Sequence, residues 1–226
     1  MDQGQETWTA VDAYLGEHLI GSDPVLAAAL EDSAKGGLPS IQVTACQGKF
    51  LRLLAEIQGA RRILELGTLG GYSTIWLGRA LPEEGRLITV EVSPEHAEVA
   101  RRNIARANLS KNVELRVGPA LEILPRLIAE RQSPFDLIFI DADKVSTPEY
   151  FRWALKLSRV GTIIVVDNVV RKGALADAKS VDTAVQAMRT FIRELGAQTQ
   201  VSATVLQTVG GKGYDGFAIA RVESVG

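Results

Sequence analysis

Two short stretches gather side chains able to hold a metal ion and move a proton: Asp141-Ala142-Asp143-Lys144 and Asp167-Asn168. Each closes an apolar run of strand character, so their polar groups are expected at one edge of a sheet if the two strands are neighbours. Taken singly, each is also an ordinary solvated strand end. Together, Asp141, Asp167 and Asn168 offer only hard oxygen donors. That set suits Mg²⁺, with Ca²⁺ or Mn²⁺ as alternatives, and not zinc or copper, which favour imidazole or thiolate. An ion held there lowers the pKa of a hydroxyl bound to it and fixes that oxygen in place. Lys144 is then the candidate base, a role open to a lysine only where a nearby cation or burial reduces its basicity.

A second stretch, Glu65-Leu66-Gly67-Thr68-Leu69-Gly70-Gly71-Tyr72-Ser73, turns from an apolar run into a helix. Its glycines let the backbone approach a ligand and aim helix N-terminal amides at it. A dinucleotide fingerprint needs glycine at positions 67, 69 and 72, and Leu69 and Tyr72 occupy the second and third. Glu65 would repel a pyrophosphate but could pair with the ammonium of a methionine moiety, which favours S-adenosylmethionine over a nicotinamide cofactor. Glu91, at the end of the next apolar run, can accept hydrogen bonds from both ribose hydroxyls. Gly118-Pro119-Ala120 provides small residues on which an adenine could lie flat.

These residues need an α/β framework. Apolar runs at Arg61–Leu66, Leu87–Glu91, Val113–Val117, Phe135–Asp141 and Thr162–Asp167 alternate with segments long enough for one helix each, the pattern of a parallel sheet. Two last runs, Gln200–Leu206 and Gly216–Arg221, are joined by Gly210-Gly211-Lys212-Gly213, too short for a helical crossover, so they should pair antiparallel. The expected fold is a doubly wound, mostly parallel seven-stranded sheet with its last strand reversed. It forms one domain over 1–226, with an N-terminal helical cap over 1–58 and the binding core over 59–226. Within the cap, Trp8, Val11 and Leu15 mark one helix, Asp23-Pro24 starts a second, and a third spans about Gln47 to Ile57. Ser93-Pro94 opens a later helix. Val181, Val185, Met188, Ile192 and Leu195 stripe another, with Gly196 expected to close it.

The 226 residues carry 25 basic and 27 acidic side chains, so no excess positive charge suggests a nucleic-acid partner, and a small-molecule acceptor is favoured. The single cysteine, Cys46, excludes an internal disulfide and reads as a small apolar residue in a reducing compartment. The polar start Met1 to Glu6 is unlike a signal peptide, and no apolar run approaches membrane-spanning length, so a cytoplasmic location without membrane contact is expected.

The three motifs, Glu65 to Ser73, Ile140 to Lys144 and Val165 to Asn168, resemble those of the cation-dependent O-methyltransferases, in the bacterial branch of the catechol and caffeoyl-CoA O-methyltransferase group. The resemblance runs over about residues 38 to 221. It implies S-adenosylmethionine contacts from Val43, Glu65, Gly67, Thr68, Ser73, Glu91, Ala120 and Asp141, with Gly71 and Tyr72 shaping the same loop. It also implies a metal on Asp141, Asp167 and Asn168, Lys144 as general base assisted by Asp141, and substrate contact at Asp143. An aromatic vicinal diol as acceptor and a homodimer follow from the same resemblance. Gly70 departs from the threonine that relatives often carry, and Val169–Val181 and Thr208–Asp215 match no single acceptor specificity. Arg171 and Lys172 could meet an acidic acceptor such as a CoA ester, but they fit a solvated basic pair better.

Rival readings are a nicotinamide-dependent oxidoreductase on the same fold and a binding protein without turnover. The glycine spacing counts against the first, and the intact Asp141, Lys144, Asp167 and Asn168 against the second. A nucleic-acid methyltransferase would need an Asn/Asp-Pro-Pro-aromatic motif after the fourth strand, which is absent. With His18 and His96 as the only histidines and no nucleophile elbow, serine hydrolysis is disfavoured as well.

Overall fold

The structure, a computed structural model, describes residues 3–225, so Met1 and Asp2 of the polar N-terminal stretch lie outside the described residues. Eight α-helices are described: α1 (Gln3–Leu15), α2 (Pro24–Lys35), α3 (Ala45–Gln58), α4 (Tyr72–Gly78), α5 (Pro94–Arg106), α6 (Ala120–Ala129), α7 (Thr147–Lys156) and α8 (Thr183–Ala197). The strands are β1 (Arg62–Leu66), β2 (Arg86–Glu91), β3 (Val113–Val117), β4 (Phe135–Ile140), β5 (Ser158–Asp167), β6 (Val201–Gly210) and β7 (Gly213–Val222).

The strands form one seven-stranded sheet in the order β3-β2-β1-β4-β5-β7-β6. Strand β7 runs antiparallel to both β5 and β6, while the pairs among β1 to β5 are parallel, so the expected sheet and its reversed last strand are present. The strand order reverses between β1 and β4, which opens a crevice beyond their carboxyl ends.

Period-two alternation builds a core on each face. Ile138, Ile140, Ile164 and Val166 face α6, α7 and α8 through residues such as Leu124, Phe151 and Phe191. Their neighbours Leu137, Phe139, Ile163 and Val165 face α2 to α5 through Leu26, Leu51, Ile75 and Ile104. Burying one large side chain such as Phe139, fully removed from solvent, contributes about 2 kcal/mol. Helices α2 and α3 thus pack into the core on this face of the sheet.

The helix starts follow their capping residues. The Asp23 carboxylate accepts from the amides of Val25 and Leu26, both at 3.0 Å, and the Thr44 hydroxyl accepts from the Gln47 amide at 3.1 Å. Ser93 caps α5 through the His96 amide at 3.2 Å.

Several boundaries differ from the sequence reading. Helix α8 begins after Asp182, whose carboxylate caps it, so Val181 stands outside the helix and is 89% exposed. Gly196 lies within that helix, whose C-cap is Gln198. From Gly4 onward helix α1 has no buried residue, and Val11 of its apolar stripe is half exposed. Strands β6 and β7 run on to Gly210 and from Gly213, which shortens their link to the two residues Gly211 and Lys212. Cys46 is half-buried and unpaired, and burial pushes its thiol pKa up. No helix of the described residues is long and apolar enough to cross a membrane.

Candidate active site

A cavity of about 790 Å³ lies over the carboxyl ends of β1, β2, β4 and β5, where the strand order reverses. Gly67 makes the crevice possible. Its φ of +98° is open to glycine, and a Cβ there would stand 2.2 Å from the Asp141 carbonyl oxygen, so the turn after β1 passes directly over the end of β4. Leu69 also has a positive φ, +50°, uncommon for a branched side chain. Gly71 follows at φ +83° as the N-cap of α4.

The turn is held by Glu91. One carboxylate oxygen accepts from the amides of Leu69 at 2.8 Å and Thr68 at 3.3 Å, and the other from the Ser93 amide at 3.0 Å, with the His96 ring 3.6 Å away. Glu91 is buried to 6% exposure yet remains on the cavity wall, where its unused lone pairs can receive two hydroxyls.

Glu65 is placed differently. It is fully buried and accepts hydroxyls from Ser73 at 2.6 Å, Thr74 at 2.5 Å and Thr89 at 2.7 Å, and Thr89 meets the Thr68 hydroxyl at 2.6 Å. Burial raises its pKa from 4.5 to about 7, against the three hydroxyls that lower it. The cavity wall touches this network through Thr68 and Ser73 and not through Glu65 itself.

At the other end, Asp141 and Asp167 follow neighbouring strands, β4 and β5. The Lys144 ammonium donates to Asp141 at 2.7 Å. Asp167 is 6% exposed, and it accepts from the Gln47 amide side chain at 2.7 Å and from the Asn168 backbone amide at 2.8 Å. Burial, and then the negative charge of Asp141, push the Asp167 carboxyl well above the ordinary carboxylate range. Two carboxylates close enough to repel, with the Asn168 amide beside them, form an all-oxygen donor set that a hard divalent cation would relieve; the residues fit Mg²⁺. Asn168 adopts φ +59°, a conformation asparagine tolerates, and it lines the cavity while Asp167 lies just beneath the wall.

Of the residues expected from sequence, Val43, Gly67, Thr68, Tyr72, Ser73, Glu91, Ala120, Asp141, Lys144 and Asn168 line this one cavity. Glu65, Gly71 and Asp167 stand behind its wall. Asp143 also lines it, but its carboxylate is taken up by the Ser146 amide at 2.9 Å and by the Tyr150 hydroxyl, so it organises the turn into α7.

Sequence reasoning missed Ile41, Gln42, His96 and Tyr150 on the wall, and the supporting Gln47, Thr74 and Thr89. His96, one turn into the helix opened by Ser93-Pro94, had a usable local signal; the others are brought in by tertiary packing. Lys212, in the two-residue turn, donates its ammonium to the Gln42 carbonyl. The same turn is tied to α1, where the Asp12 carboxylate accepts the Gly211 amide at 2.7 Å.

Comparison with known proteins gives the family and the fold. The family model described as O-methyltransferase matches residues 17–221. A catechol O-methyltransferase of Niastella koreensis is 54% identical over 218 residues, covering 96% of this chain and 99% of its own length. Another, from Mycobacterium tuberculosis, is 52% identical over 222 residues, covering 98% and 99%. The crystal structure of an O-methyltransferase from Bacillus cereus in complex with SAH superposes with a TM-score of 0.96 at 56% identity, over 97% of this chain and 100% of that one.

Proposed function

The chain belongs to the O-methyltransferase family, and from that membership we propose that it transfers the methyl group of S-adenosylmethionine to one hydroxyl of an aromatic vicinal diol, with a divalent cation at Asp141, Asp167 and Asn168. One observation carries the reading: a single cavity joins the Glu91 and Thr68 end, suited to a nucleoside, to the Asp141, Lys144 and Asn168 end, suited to a metal and an oxygen acid.

In this reading Glu91 receives the ribose hydroxyls and Ala120, with Pro119, floors the adenine. Val43, Thr68, Tyr72 and Ser73 enclose the methionine end. Glu65 acts on that end through the Ser73 hydroxyl it holds at 2.6 Å. Gly67 and Gly71 give the turn its path.

Bound Mg²⁺, or Ca²⁺ or Mn²⁺ in its place, supplies positive charge that acidifies a coordinated hydroxyl and orients it. The chain's own part is orientation and proton handling. Lys144, positioned by Asp141 at 2.7 Å, lies where the acceptor proton departs. As an ammonium it stabilises the developing oxyanion, and it accepts the proton once it has shed its own. In the overall reaction the acceptor O–H breaks, the sulfonium C–S bond breaks and an O–CH₃ bond forms, leaving S-adenosylhomocysteine. Most of the rate gain comes from alignment, because the sulfonium is already reactive.

A homodimer is proposed with the family, supported by the apolar pair Leu53 and Ile57, 44% and 83% exposed one turn apart on α3. The deciding experiment is methyl transfer from labelled S-adenosylmethionine to a catechol panel, before and after EDTA and with Mg²⁺ restored. Product that disappears with EDTA and returns with Mg²⁺ is expected; undiminished product in EDTA removes the metal from the mechanism.

A further inference from the structure

The cavity wall carries three basic side chains, and two of them are matched. Lys144 is paired with Asp141 at 2.7 Å, and His96 stands 3.6 Å from Glu91. The third, Arg171, has no acid in ion-pair range among the described residues, and its Nε is buried without a hydrogen-bond partner. A buried guanidinium N–H left unmatched carries a desolvation cost that a ligand can remove.

The backbone is bent to put it there. Arg171 and Lys172 both have φ of +55°, in the left-handed region that costs a non-glycine residue of order 1 kcal/mol or more each. Asp215 on β7 holds this turn: its carboxylate accepts the amides of Val170 at 3.0 Å, Arg171 at 2.9 Å and Gly216 at 3.0 Å. Val169 is tied to the same strand through the Gly216 carbonyl at 3.0 Å. As a result Arg171 lines the cavity three residues from Asn168, whereas Lys172 is exposed to solvent.

None of the acids around the cavity forms an ion pair with Arg171 among the described residues. Asp141 is held by Lys144, Asp143 by Tyr150 and Ser146, and Asp215 by three amides, while Glu91 is engaged by amides of the turn after β1 and of Ser93. An acidic group on the acceptor would supply the missing counter-charge and a partner for the buried Nε.

We propose that Arg171 is a specificity-determining residue that binds a carboxylate on the acceptor, so that the preferred substrates are catechols bearing an acidic substituent. A planar guanidinium matches a carboxylate in two parallel hydrogen bonds. A single guanidinium also matches a single negative charge. A phosphate dianion would leave one charge unanswered beside Asp141, Asp143 and Glu91. The inference rests on the methyltransferase reading for the place where the acceptor binds, and it adds the acceptor's charge.

The test compares 3,4-dihydroxybenzoate with its methyl ester, which keeps the diol and removes the charge, in the wild type and in Arg171→Gln, Arg171→Lys and Arg171→Glu. The wild-type ratio of kcat/KM, acid over ester, should fall about tenfold to a hundredfold in Arg171→Gln, with KM carrying most of the change, and return in part in Arg171→Lys. Arg171→Glu should reverse the preference, favouring 3,4-dihydroxybenzylamine over the acid, a gain that misfolding cannot produce. An acid-to-ester ratio that stays within twofold across the variants overturns the proposal. Calorimetric titration with 3,4-dihydroxybenzoate separates this result from failure of the methylation reading. If the wild type methylates neither compound yet binds the acid about tenfold more tightly than Arg171→Gln does, the carboxylate contact stands and the reaction assignment falls. Equal binding by the two proteins, or none by the wild type, overturns the contact.

Discussion

At the β1 and β2 end of the cavity, Glu65 and Glu91 each accept from three donors of the chain itself, hydroxyls for one and amides for the other, and Glu91 keeps acceptor capacity toward the cavity. At the β4 and β5 end, Asp141 and Asp167 repel each other and are steadied by one lysine and two amides. The first end is finished by folding. The second keeps an electrostatic debt that an outside cation would settle, and nearby Asn168, Arg171 and Lys172 hold uncommon backbone angles, against Leu69 alone at the first end. In the proposed reading, the donor end is thus stabilised by the fold's own hydrogen bonds, whereas the acceptor end is held ready at the fold's expense.

The same acid-to-amide change should therefore act oppositely on stability at the two ends. Asp167→Asn is expected to lower kcat/KM about 10³-fold by removing a metal ligand. It should also raise the urea midpoint of the metal-free protein, because a buried repulsive charge is gone. A lower midpoint would erase the proposed contrast. Glu91→Gln removes a charge that three amides point at, so unfolding free energy should drop by about 1–2 kcal/mol, and S-adenosylmethionine affinity should weaken about tenfold by calorimetry. Unchanged stability would mean that the Thr68 and Leu69 amides do not depend on that carboxylate.

Glu65 refines the comparison through pH. Its carboxyl moves from 4.5 to about 7 in the folded chain. Below pH 4.5 both folded and unfolded states hold the proton. Between 4.5 and 7 the unfolded chain releases it first, so the folded state binds more protons and stability falls as pH rises; above about 7 both are ionised and the loss is complete. In Glu65→Gln the slope of unfolding free energy between pH 5 and 6.5 should become shallower by up to about 1.4 kcal/mol per pH unit. Matching slopes in urea titrations would show that the three hydroxyls already offset the burial.

Much of this was legible because the informative residues are contiguous. Gly67, Glu91, Asp141 and Asn168 each follow an apolar run, and the topology of open α/β sheets sends all such ends to one edge. What escaped was set by packing between distant segments. Nothing near Thr89 announces that its hydroxyl completes the shell of Glu65, and Gln47 reaches Asp167 across 120 positions of sequence. The direction of Arg171 depends on Asp215, 44 positions later. Val181 continues the apolar stripe of helix α8 in sequence, but Asp182 supplies the cap that starts the helix after it. Strands β6 and β7 were drawn too short because β6 is largely exposed along its length and lacks a clean alternation.

The placement of β7 between β5 and β6 has a consequence for how the protein is made. Strands β1 and β2, with Glu65 and Glu91, pair with each other and leave the ribosome early. The turn bearing Asn168 and Arg171 has to wait for Asp215 and Gly216, Asp215 following Arg171 by 44 positions. During synthesis the nucleoside end can therefore be shaped while the acceptor end is still open. A chain cut before β7 lacks the support of that turn, so the two ends of the cavity depend on different stretches of synthesis.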